Sequence, residues 1–233
     1  MRNGVILCLQ VVIIMLTTSR RTHKLRIAVA AANGKAGRLI TQEAVNRGMD
    51  VTAIVRGENK SAAQNAIVKD LFDITKEDLA GFDVVVDAVG AWTPDTVHAV
   101  PDAAKMLADL LKGSDARLIV VGGAGSLYMD PEHTKTVADV VEFPEAAMPV
   151  LRAHKEALDA LRTYDDVNWT YVSPAAEFTA DGERTGKYIL AGEEFTTNSK
   201  GESIISYADY AIAIVDEIEN AAHIKERISV LGE

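Results

Sequence analysis

Arg26-Ile27-Ala28-Val29-Ala30-Ala31-Ala32-Asn33-Gly34-Lys35-Ala36-Gly37 is the stretch that decides the fold. An apolar run leads straight into a glycine-bearing turn and then into a segment of helical spacing. Ala36, Leu39, Ile40 and Ala44 share one face of that segment, and Gly48 stops it. A strand, turn and helix in this order leave the N–H groups of the helix's first turn without partners, which makes a seat for a phosphate. Gly34-Lys35 is followed by Ala36, with no hydroxyl to hold magnesium, so the run is not a nucleoside-triphosphate loop of the Walker type.

The alternation continues outward from this stretch. The spacing predicts strands at Leu25–Ala31, Val51–Val55, Ala66–Lys69, Val84–Val89, Leu118–Val121 and Trp169–Val172. Helices are predicted at Lys35–Arg47, Asp102–Leu111 and Val150–Arg162. Strands separated by helices imply an α/β protein with a doubly wound parallel sheet. After Pro174 the rhythm changes. Lys187–Leu190 and Glu194–Thr197 read as a hairpin about an Ala-Gly turn, Tyr207–Glu219 as a helix capped by Ser206, and Arg227–Leu231 as a last strand. We expect one domain over residues 25–233, its carboxy-terminal part supplying a small substrate region.

The chain of 233 residues carries a formal charge of −10. Its first 24 residues hold Arg2, Arg20, Arg21 and Lys24 and no acid, which leaves the remainder at −14. An acidic body argues against nucleic acid as a partner. Cys8 stands alone, so no internal disulfide forms and a reducing, cytoplasmic setting is expected. The five histidines show no metal-ligand spacing, and no metal is expected. The apolar run 5–17 would reach about 20 Å as a helix, short of the roughly 30 Å of a bilayer core. It lacks a small-residue cleavage site, and we read residues 1–24 as a dispensable extension with no stable membrane span.

The run Ala31-Ala32-Asn33-Gly34-Lys35-Ala36-Gly37 resembles the Gly-Ala-Thr-Gly-x-x-Gly turn of atypical short-chain dehydrogenases, the NmrA-like and NADH-flavin reductase-like group. Thr52–Arg56, Asp70–Asp73, Val120–Ser126 and Ser173–Ala176 extend the resemblance over residues 25–233. It implies a Rossmann-like fold and a nicotinamide cofactor whose pyrophosphate sits on Ala31, Asn33, Gly34, Lys35, Ala36 and Gly37. It further implies that Asp70 and Leu71 border the adenine and that Ala88, Val89 and Gly90 let the ribose lie on the backbone. Ala31 replaces the family's first glycine, at a cost of roughly 1–2 kcal/mol if its conformation is left-handed. Asn33 replaces the usual threonine and is expected to make the same local turn bonds.

Where NAD-preferring sites carry an acid at the end of the second strand, this chain has Arg56. A guanidinium there suits the 2′-phosphate of NADP; the alternative is a solvated surface arginine, and nearby Glu58 leaves NAD possible. The family's Tyr-x-x-x-Lys becomes Leu151-Arg152-Ala153-His154-Lys155, and Leu151 donates no proton. Candidate catalytic residues are therefore Ser126, His154 and Lys155. Each has a structural alternative, as a loop cap, a hydrogen-bonded core histidine and a surface lysine. Trp92, Tyr128 and Phe178 are candidates for an aromatic wall. The expected activity is NADPH-dependent hydride transfer to a flavin, quinone or similar planar acceptor by a monomer or homodimer. The alternatives are a regulatory protein that senses NAD(P) without turnover and a sugar-nucleotide epimerase-like isomerase.

Overall fold

The computed structural model describes residues 24–233; the apolar run 5–17 and the extension up to residue 23 lie outside them. Eight strands form one sheet in the order β3-β2-β1-β4-β5-β6-β10-β8. They are β1 (Arg26–Ala30), β2 (Asp50–Val55), β3 (Asn65–Val68), β4 (Val84–Asp87), β5 (Arg117–Val121), β6 (Asn168–Pro174), β8 (Ile189–Ala191) and β10 (Glu226–Leu231). All neighbours run parallel except β8, which pairs antiparallel with β10. The helices are α1 (Lys35–Asn46), α2 (Ala99–Leu111), a single turn α3 (Val137–Val140), α4 (Met148–Leu161) and α5 (Tyr207–Asn220).

Both faces of the sheet are covered, which explains why its strands read as unbroken apolar runs. Ile27, Val29, Val84, Val86, Ile119, Val172 and Ile228 face α1 and α5. Ala28, Ala30, Val85, Leu118, Val120, Trp169 and Tyr171 face α2 and α4. At about 1.5–3 kcal/mol for each large apolar side chain buried, these two layers dominate the stability. The Ser206 side chain caps α5 by accepting the Asp209 N–H at 3.0 Å. The Asp209 carboxylate in turn accepts from the N–H of Thr185 and of Gly186, tying the carboxy-terminal loop to the helix. No helix among the described residues is long and apolar enough to cross a membrane.

The doubly wound parallel sheet is as the alternation predicts, but three details differ. The hairpin between Lys187–Leu190 and Glu194–Thr197 does not form. β8 pairs with β10 instead, Leu190 opposite Val230, and Glu194 makes only an isolated bridge with Tyr128. A small second sheet, β7 (Glu177–Thr179) with β9 (Ile204–Ser206), went unread because three residues show no period. β4 stops at Asp87 rather than Val89, since the Asp87 side chain accepts the Val89 N–H at 3.0 Å and turns the chain.

Candidate functional site

The order 3-2-1-4-5-6 reverses direction between β1 and β4. In open α/β sheets the carboxyl ends of the strands at this reversal form the ligand crevice. Here those ends bring together the turn 31–37, the loop 56–60, the residues 87–90 and the loop 122–126.

The turn after β1 is closed by the Gly34 N–H donating to the Ala31 carbonyl at 2.8 Å. Ala31 has φ +54°, the left-handed conformation that carries the strain expected of a Cβ there. Gly37 is required for close packing: a Cβ on it would lie 2.4 Å from the Ala31 oxygen. Gly34 itself is extended (φ −69°) and exposed, and no side chain caps the helix. The N–H groups of Lys35, Ala36 and Gly37 have no acceptor within α1, as helix geometry requires. Asn33 does not make local turn bonds. Its Nδ2 donates to the Glu58 carbonyl at 2.8 Å, and its Oδ1 accepts the Lys60 N–H at 2.7 Å, so it spans two loops.

Arg56 is exposed at the end of β2. Among the described residues Arg56, Lys35, Arg38 and Lys60 have no side-chain hydrogen bond or ion pair, although the protein is acidic. Lys35, Arg38, Lys60, Ser61, Asp181 and Tyr207 help to line an open cleft of about 520 Å³ beside the start of α1. Asp70 is also exposed, and its carboxylate accepts the Phe72 N–H, capping a short turn that includes Leu71. Ala88 is buried while Gly90 is exposed at the crevice rim. Free N–H groups, a side-chain-free Gly34 and four unpartnered cations together suit a dinucleotide's phosphates.

Asp87 escaped the sequence reading. It is buried beside Ala30 and Val120, and burial pushes its carboxyl up to about 7 against the opposing Val89 hydrogen bond. The available signal was an acid ending the otherwise apolar run Val84-Val85-Val86-Asp87.

The far end of the crevice is packed differently. Leu151 touches Gly125, where a Cβ would come within 2.7 Å of the leucine side chain. The His154 ring lies on Gly123, and its Nδ1 is buried with no hydrogen-bond partner. It is therefore not the hydrogen-bonded core histidine of the structural alternative. Burial pushes its pKa down to about 4, so the ring is neutral at physiological pH. Tyr171, also unforeseen, joins this web: its hydroxyl donates to the His154 carbonyl at 3.0 Å and accepts the Gly123 N–H at 3.1 Å.

Ser126 is buried, and its Oγ accepts from Arg227 at 3.3 Å. Lys155 is exposed and paired with Asp159 at 2.5 Å, as its surface alternative anticipates. The three aromatics form no wall. Tyr128 stacks on His133 at 4.1 Å, Phe178 packs against Tyr207 and Tyr210, and Trp92 is exposed alone. Tyr128 lies by Arg227 and Phe178 by α5, on opposite faces of the sheet.

A family model described as NAD(P)H-binding matches residues 31–221. The uncharacterised protein YwnB of Bacillus subtilis is 43% identical over 212 residues, 90% of this chain and 99% of its own length. A solved structure from Streptococcus pneumoniae, provisionally described as an NADH-flavin reductase, is 56% identical, with a TM-score of 0.88, over 90% of this chain and 100% of that one. A Burkholderia pseudomallei structure, provisionally described as an exported protein, is 38% identical with a TM-score of 0.79 and covers 89% and 99% of the two chains.

Proposed function

The chain belongs to the NAD(P)H-binding family, and from that premise we propose that it is an NADPH-dependent oxidoreductase passing a hydride to a flavin, quinone or similar planar acceptor. We place it in the cytoplasm. The likeness to the streptococcal protein supports the reductase reading. The observation that carries the choice of acceptor is Leu151 packed on Gly125, where an alcohol–ketone enzyme needs a tyrosine acid.

NADPH held in this crevice would supply the hydride, with its electron pair, for reduction of the acceptor. The first turn of α1 would offer its N–H groups to the pyrophosphate, and Arg56 would pair with the 2′-phosphate. The glycines of Gly122–Gly125 let Tyr171, His154 and Leu151 pack close to this loop, leaving Gly123 and Ala124 partly exposed. His154 is neutral and its ring packs on Gly123, so it can shape the acceptor side of the crevice but not act as a cationic acid. A stacked flavin or quinone needs mainly proximity and orientation, and water can deliver its protons. Ser126 and Lys155 hold Arg227 and Asp159 in the described structure, so we assign them supporting roles.

The test is NADPH oxidation against a panel of flavins, quinones and simple ketones. Turnover with at least one flavin or quinone, and little with ketones, is expected. Fast ketone reduction would overturn the acceptor assignment. Tight NADP binding with no turnover on any acceptor would replace it with the sensing role.

A further inference from the structure

We propose that Asn33 is the positioning residue that makes the site prefer NADP, by clamping the loop 56–60 so that Lys60 joins Lys35 and Arg38 around the 2′-phosphate. The inference rests on the NADPH reading above and extends it to residues other than Arg56.

Both Asn33 bonds run from side chain to backbone, to the Glu58 carbonyl and from the Lys60 N–H. They fix the path of the loop whatever its side chains do. The far end of the loop is pinned as well: the Asn59 side chain accepts the Ser61 N–H at 2.9 Å and donates to the Ala63 carbonyl at 3.2 Å. Between these two clamps Lys60 lines the cleft that Lys35 and Arg38 line from α1. Other cations on the same molecule are paired: Arg47 reaches Glu43, Asp216 and Glu219, and Arg162 reaches Glu193. With Asp181 the one acid lining the cleft, the three unpaired cations leave it net positive, which favours an anionic occupant. A phosphate monoester carries about two negative charges at neutral pH and three acceptor oxygens, whereas the ribose 2′-hydroxyl of NAD carries no charge. Loosening the loop therefore costs affinity for NADP and leaves NAD almost untouched.

The experiment is calorimetric titration of NADP⁺ and NAD⁺ into the full chain, Asn33→Ala and Lys60→Met. Two hydrogen bonds are lost in Asn33→Ala, so NADP⁺ is expected to weaken by about 5- to 20-fold and NAD⁺ by less than about 2-fold. Lys60→Met, which leaves the clamp intact, is expected to show the same selective loss. Equal weakening of both cofactors in Asn33→Ala would mean an ordinary turn residue and overturn the proposal. So would a preference unchanged in both variants, with the NADPH reading intact. Equal wild-type affinities for the two cofactors would remove the NADPH reading, and this inference with it.

Discussion

At the β1–β2 end of the crevice Lys35, Arg38, Arg56 and Lys60 have no side-chain partner among the described residues. At the β5–β6 end Ser126 is held by Arg227, Lys155 by Asp159 and Tyr128 by His133. The first end is open: exposed cations and helix N–H groups with no protein partner, which an anionic occupant would pair. The second end is nearly complete without a ligand, apart from the unsatisfied Nδ1 of His154 and Oγ of Ser173. Such a contrast fits a tightly specified cofactor beside a loosely specified acceptor, because charge and hydrogen bonds discriminate more sharply than apolar contact.

Breaking the first end is expected to have the largest effect. Gly34→Asp suits the extended conformation there but brings a carboxylate to the pyrophosphate seat. Like-charge contact costs several kcal/mol, so cofactor affinity should fall by more than about 100-fold in calorimetry while circular dichroism stays unchanged. Unaltered affinity would move the site elsewhere. Arg56→Ala is next: a charge-assisted hydrogen bond is worth about 1.5–3 kcal/mol, so the NADP-over-NAD ratio should drop by about 10- to 150-fold.

The second end should answer weakly. His154→Ala is expected to lower turnover by less than about tenfold, with cofactor affinity kept, because the ring orients without transferring a proton. A complete loss of turnover would make the two ends equally demanding and break the comparison.

Between the two ends lies Asp87, whose effect is on stability. Its folded pKa of about 7 lies above its unfolded value of 3.8, so the folded state keeps a proton that the unfolded state has lost. Stability therefore falls as pH rises from about 4 to 7. Asp87→Asn keeps an acceptor for the Val89 N–H without the charge. In thermal melts it should exceed the wild type by a few degrees at pH 8, and the gap should close towards pH 4.

The cofactor end was legible because it is local. Strand, turn and helix lie within the twelve residues Arg26–Gly37, and Arg56 is placed by the next strand. Even there the partner of Asn33 was missed, since Glu58 and Lys60 come near only through the crossover from β2 to β3. The acceptor end depends on contacts such as Ser126 with Arg227 and Gly123 with Tyr171, separated by 101 and 48 positions. No spacing encodes those. The lost hairpin is a related case: β8 had the right composition, but β10 competed successfully for its edge.

Ala31, with its φ of +54°, reverses a common rule of chain flexibility. Exchanging alanine for glycine ordinarily destabilises a protein, because the unfolded chain gains freedom worth about 0.4–1 kcal/mol. At this one position the exchange also releases about 1–2 kcal/mol of left-handed strain. Ala31→Gly should therefore leave the melting temperature unchanged or raise it slightly. The turn between β1 and α1 is thus a place where the more flexible residue gives the more stable protein, because the native conformation, and not the unfolded ensemble, holds the larger share of the cost.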